Sequence, residues 1–133
     1  MHPYVSLLVL DNRLLRLRYR CALVLYAAIV LMGSIPGARA ELGTLASGIV
    51  LHTLAYGTVC FLLYTGTPGS RRARAIRSVL TVFAMGAADE LVQSFLPYRS
   101  GALADWVIDA NAAVVTAGLL WAFLPDPVVS RQP

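Results

Sequence analysis

The chain has 133 residues, 58% of them hydrophobic and 14% charged, and a net charge of +4. Soluble domains run nearer 45–50% apolar and about 25% charged, and a chain this short cannot enclose so much apolar surface in one core. An ordinary soluble domain is therefore excluded, and an all-α bundle of membrane-spanning helices, with lipid as solvent for its apolar faces, is the expected fold class.

The chain order begins with a charged N-terminal segment, residues 1–20, expected in the cytoplasm. Within it Pro3–Leu10 is apolar but too short to span, and is read as lying on the membrane surface. Four apolar segments follow, from about Cys21 to Ile35, Ala46 to Tyr64, Ser78 to Leu96 and Leu103 to Leu124. A spanning helix needs about 20 residues, within a range of about 17–25. The last three segments qualify, and the first borrows from its flanks. Each has a stop signal: Ser34-Ile35-Pro36-Gly37, then Gly66-Thr67-Pro68-Gly69-Ser70, then Pro97, then Pro125. The expected organisation is a four-helix transmembrane domain over residues 21–124 and a cytoplasmic tail over residues 125–133.

All 11 basic residues are arginine. They cluster between apolar runs, which is the pattern of membrane flanks and not of a nucleic-acid-binding face. No nucleic-acid partner is expected. Arg13, Arg16, Arg18 and Arg20 precede the first segment, Arg71, Arg72, Arg74 and Arg77 separate the second from the third, and Arg131 follows the fourth. The other two loops hold only Arg39 and Arg99, a nine-to-two split that places both termini in the cytoplasm. Trp106 and Trp121 fall near opposite ends of the fourth segment, where interfacial anchors belong. Cys21 and Cys60 lack a C-x-x-C spacing, and their expected place near the cytoplasmic ends makes them free thiols. A rival reading takes Arg18 to Arg20, the apolar run and Ala38-Arg39-Ala40 as a secretory signal cleaved before Glu41, which leaves three spans. The charged lead-in is long for a signal, so Met1 is expected to stay joined to the chain.

Ionisable residues inside spanning segments cost roughly 2.5–3.5 kcal/mol each at a helix centre and are functional candidates by default. His52 lies about six residues, roughly 9 Å, inside the outer edge of the second segment. Glu90 in the third and Asp109 in the fourth lie at about the same depth. The spacings place His52 with Tyr56, Glu90 with Gln93, and Asp105 with Asp109 on shared helix faces. Asp89, about 100° around the helix from Glu90, is read as turned toward a different face. The competing structural reading has Glu90, Asp105 and Asp109 paired with Arg99 or His52, locking the bundle. In that reading Tyr56 and Gln93 are hydrogen-bonding packing residues; Asn111 is read equally as a helix bridge or as a binding group. Gly86 is read as a close-packing point, and Ala112, Ala113, Thr116 and Ala117 as a surface that lets the fourth helix approach a neighbour.

At these residues the chain resembles the VanZ-like family of membrane proteins. Glu90 and Gln93, the turn Phe95-Leu96-Pro97-Tyr98-Arg99, and then Asp105 and Asp109 match its Glu, Gln, Phe-x-Pro-x-Arg and paired acidic pattern. Ser34-Ile35-Pro36-Gly37 and His52-Thr53-Leu54-Ala55-Tyr56 resemble upstream family segments. The likeness covers about Ser34 to Phe123. It departs from the pattern at Gly48 and Ile49, where the family often has Asp-Lys, and at Ala112, where a Gly is usual. It implies a bacterial cytoplasmic-membrane protein of the cell envelope, related to a factor for resistance to the glycopeptide antibiotic teicoplanin.

The expected function is an outer-leaflet polar pocket for a membrane lipid or lipid-linked ligand, built from His52, Glu90, Gln93, Arg99, Asp105 and Asp109. A ligand amine or hydroxyl pairs with Glu90, Asp105 and Asp109, and Arg99 holds a phosphate or carboxylate. No cofactor is expected. The alternatives are a membrane-embedded enzyme using buried carboxylates as acid and base, with His52, Glu90 and Asp105 as conceivable metal ligands but without H-E-x-x-H spacing, and a structural membrane subunit.

Overall fold

The computed structural model describes Val9 and residues 11–99 and 101–125, the side chain of Arg39 excepted. The expectations for Arg131, the tail beyond residue 125 and, save for Val9, the Pro3–Leu10 segment lie outside the described residues. Within them the protein is all-helical. A 3-10 turn over Asn12–Leu14 leads into α1 (Leu15–Ser34), α2 (Ala38–Leu45), α3 (Gly48–Gly66), α4 (Arg71–Ser94) and α5 (Leu103–Phe123).

Local chemistry sets these ends. The Asp11 carboxylate accepts the Arg13 N–H at 2.8 Å. Ser47 caps α3 by accepting from Val50 N at 3.4 Å, and Ser70 caps α4 by accepting from Ala73 N at 3.3 Å. Each supplies a partner to an N–H that the first helical turn leaves unused. Gly37 takes a φ of 82°, the left-handed turn that a side chain disfavours, and redirects the chain from α1 into α2.

Compared with the apolar segments, α1 and α4 begin six or seven residues earlier, because hydropathy stops at the arginines while the helix does not. Arginine is a good helix former, so Arg16, Arg18 and Arg20 belong to α1, and Arg71, Arg72, Arg74 and Arg77 to α4. α2 has no counterpart among the apolar segments; Ala38-Arg39-Ala40 forms its first turn. Two of the described helices, Gly48–Gly66 and Leu103–Phe123, are long and apolar enough to cross a membrane by length and composition.

The four long helices run alternately up and down. Contacts fix which ends meet. At one end Arg18 Nε donates to Thr65 O at 2.9 Å, tying the start of α1 to the end of α3. A Cβ placed on Gly66 would lie 2.6 Å from Tyr19 N, so the two backbones touch there. Arg71 donates to Trp121 O at 3.4 Å, bringing the start of α4 to the end of α5. Arg74, buried, lies 4.8 Å over the Tyr64 ring, a cation–π contact. At the other end Tyr98 Oη donates to Ser34 O at 2.6 Å and Trp106 Nε1 to Phe83 O at 3.0 Å.

The core between the helices holds Ala22, Tyr56, Val59, Cys60, Leu63, Tyr64, Val82, Ala113 and Ala117. α3 and α5 pack together most extensively, followed by α4 and α5. Small side chains permit this: Ala112, Ala113 and Ala117 are buried, and a Cβ on Gly57 would stand 3.3 Å from Thr116 Oγ1. Cys60 is buried and Cys21 exposed, both free thiols.

Candidate functional site

The end of the bundle away from the arginine-rich turns holds the ionisable residues. α3 supplies His52 and Tyr56, one turn apart, with their rings stacked 6.2 Å between centroids. α5 supplies Asp105 and Asp109, and both carboxylates face His52. Nδ1 of His52 lies 2.8 Å from Asp109 Oδ1, and Nε2 lies 3.8 Å from Asp105 Oδ2. The imidazole is thus bracketed, one nitrogen toward each carboxylate, and Asp109 is 1% exposed. Its second oxygen, Oδ2, is buried without a hydrogen-bond partner. That oxygen is held against Gly86, where a Cβ would stand 3.3 Å from it and 3.0 Å from Trp106 Cδ1. Gly86 is therefore the close-packing point expected, and it makes room for the site.

A second chain of groups runs along α4. Tyr56 Oη donates to Asp89 Oδ2 at 2.8 Å, and Gln93 Nε2 donates to Asp89 Oδ1 at 3.1 Å. Arg99 donates to Gln93 Oε1. Both oxygens of Asp89 accept, which suits the ionised carboxylate. Gln93, donor at one end and acceptor at the other, links Asp89 to Arg99 without direct contact. Asp89 and Gln93 are 1% and 2% exposed, and burial of an ion requires this kind of compensation.

The structure reverses the expected orientations of two neighbours. Asp89 faces the interior with His52, Tyr56 and Gln93. Glu90 points to the turn between α4 and α5, where Oε2 accepts the backbone N–H of Ala102 and Oε1 has no partner. The reason is helical phase. Asp89 falls in the middle of the arc of the buried stripe Arg74, Ser78, Val82, Gly86, Gln93, and Glu90, about 100° further round, falls outside it. The stripe is present in the sequence, but the spacing of three between Glu90 and Gln93 points equally to a shared face. Asn111 is exposed and donates to Val107 O of its own helix at 2.7 Å, so it bridges no helices.

A cavity of 420 Å³ opens onto this region, within the range of about 300–1,000 Å³ typical of ligand pockets. Its walls are apolar: Leu25, Ala28, Ile29 and Met32 of α1, and Leu51 and Ala55 of α3. Its polar end is formed by His52, Tyr56, Asp89, Gln93 and Arg99. Of the expected site residues, His52, Gln93 and Arg99 line the cavity, Asp105 and Asp109 stand behind His52, and Glu90 is outside. Tyr56 and Asp89 are the additions. Among the described residues no group of three or more His, Cys, Asp or Glu is arranged to hold a metal ion.

No family model, curated protein or solved structure matches this chain.

Proposed function

We propose that this protein is a multi-pass protein of the bacterial cytoplasmic membrane that binds an amphipathic, lipid-linked ligand in the cavity between α1 and α3. The carrying observation is the cavity itself: apolar walls leading to a buried, charged end is the shape of a site for a tail and a head.

The surface supports membrane residence of all four long helices. Large apolar side chains are exposed on each of them: Leu23, Val24 and Leu31 on α1, Ile49 and Leu54 on α3, Leu80 and Leu91 on α4, Val114, Val115 and Leu119 on α5. Only 33% and 22% of the apolar windows of α3 and α5 are buried, unlike core helices of a soluble protein. Contiguous apolar surface of this kind needs a covering, and lipid supplies it. The arginine-rich end then faces the cytoplasm, with both termini, and the cavity opens under the outer surface. The resemblance to VanZ-like proteins adds an envelope role and a link to glycopeptide resistance.

The test is native mass spectrometry of protein extracted in mild detergent. A lipid or lipid-linked molecule should be retained by the wild type and lost when the cavity is filled by Ala55→Phe. Recovery of a protein free of any such adduct refutes the reading. A second reading, a membrane-embedded enzyme, draws on the bracketing of His52 by Asp105 and Asp109, an arrangement suited to moving a proton. It requires that the bound molecule change covalently, which the adduct's mass reports.

A further inference from the structure

We propose that the head taken by this cavity carries a primary ammonium next to a phosphate, as in an ethanolamine phospholipid, with the ammonium on Asp89 and a phosphate oxygen on Arg99 Nε. This rests on the lipid-binding reading above and narrows it to a head group.

Three observations carry it. The first is charge. Asp89, Glu90, Asp105 and Asp109 gather at one end of the bundle, against Arg99 and a His52 that counts only when protonated. In apolar surroundings an acidic excess favours a ligand that brings positive charge.

The second is unused hydrogen-bonding capacity at the polar end of the cavity. Each oxygen of Asp89 accepts one hydrogen bond, from Tyr56 and from Gln93, and an ionised carboxylate has about four acceptor sites. An ammonium with three N–H donors fits the remainder, whereas a trimethylated one has no N–H to give. Arg99 complements it. Nη2 is engaged with Gln93, while Nε is buried without a partner. An anionic oxygen is the natural acceptor for that donor. Asp89 and Arg99 are separated by the N–C–O amide of Gln93, and an O–C–C–N ethanolamine unit spans a comparable gap.

The third is access. Gly33 of α1 lines the cavity beside Asp89 and Gln93. A Cβ there would stand 3.6 Å from Gln93 Nε2 and 4.0 Å from Asp89 Oδ1, so the glycine leaves space for a group next to these two buried side chains. Those distances are ordinary contacts. A methyl fits at Gly33 without moving the polar groups, and a longer side chain there would compete for the proposed head-group position.

The experiment offers the detergent-solubilised full chain three phospholipids with identical acyl chains: phosphatidylethanolamine, phosphatidylcholine and phosphatidylglycerol. Retention is read by native mass spectrometry. The expected result is at least tenfold preference for the ethanolamine lipid over both others, lost in Asp89→Asn and in Gly33→Leu. Gly33→Leu keeps every polar residue, and unchanged helical content and elution volume show that it folds. Equal retention of choline and ethanolamine lipids overturns the ammonium assignment, as does preference for the glycerol lipid. Undiminished retention in folded Gly33→Leu overturns the location. If the choline and glycerol lipids are held as well, the lipid-binding reading stands and only the head-group choice fails; if no lipid is held, both fail.

Discussion

Asp89 is the residue on which most of the site's polar chemistry converges. It is a buried carboxyl group that accepts hydrogen bonds from Tyr56 and Gln93, and Gln93 in turn accepts from Arg99. Hydrogen bonds to charged groups contribute about 1.5–3 kcal/mol. Tyr56→Phe removes one donor and keeps the ring, so we expect a loss of about that size, read as a lower thermal unfolding midpoint in detergent. Asp89→Asn should abolish the preference for the ethanolamine lipid and any protection against a lipophilic glycopeptide. Glu90→Gln should leave lipid retention close to wild type while lowering stability, because Glu90 secures the Ala102 N–H at the entrance to α5. Measuring both variants for bound lipid and for membrane abundance separates the two roles. The opposite order, with Glu90 essential and Asp89 dispensable, would make the turn and not the cavity the functional centre.

Among elements, helix starts are held by side chains and helix crossings by the absence of them. Ser70→Ala removes the α4 cap and should cost about 1 kcal/mol. Gly66→Ala should cost more, on the order of 1–3 kcal/mol, since the new methyl meets the α1 backbone at Tyr19, which has little freedom to move. Both are read from unfolding midpoints, and similar small shifts for the two would show that the α1–α3 contact yields easily. These elements also show what could be read in advance. Pro36, Pro68, Pro97 and Pro125 lie just outside α1, α3, α4 and α5, because proline cannot continue a helix. The early starts of α1 and α4 were hidden because hydropathy reports where lipid is favourable, while helix formation also tolerates arginine. α2 was hidden because eight residues of mixed polarity carry no long apolar stripe. The common depth of His52 and Asp109 was legible from segment direction, and the spacing of four put Asp105 on the same face as Asp109, while Glu90, expected in that layer, turns away. The inward turn of Asp89 depends on the phase of a single helix, where an error of one residue moves a side chain by about 100°.

For the whole molecule, the arrangement of arginines at one end and carboxylates at the other makes a definite topological prediction. In a Cys21→Ser background, Tyr98→Cys should react with an impermeant thiol reagent added outside intact cells, and Arg72→Cys should react only after permeabilisation. Labelling in the reverse sense would invert the bundle and place the cavity in the inner leaflet. The same end-to-end asymmetry bears on how the cavity admits a molecule. α1 and α3 are clamped where Gly66 meets Tyr19 and Arg18 grips Thr65, while their far halves, Leu25 to Gly33 and Gly48 to Tyr56, form the cavity walls. Two rods joined at one tip behave as tweezers: a small rotation at the joint becomes a larger gap at the free tips. Leu42 and Gly43 of α2 complete the lining beside those free tips. Under the proposed lipid-binding reading, a guest would enter sideways from the bilayer with its tail still in hydrocarbon, and the grip on it would be set by how stiff the joint is.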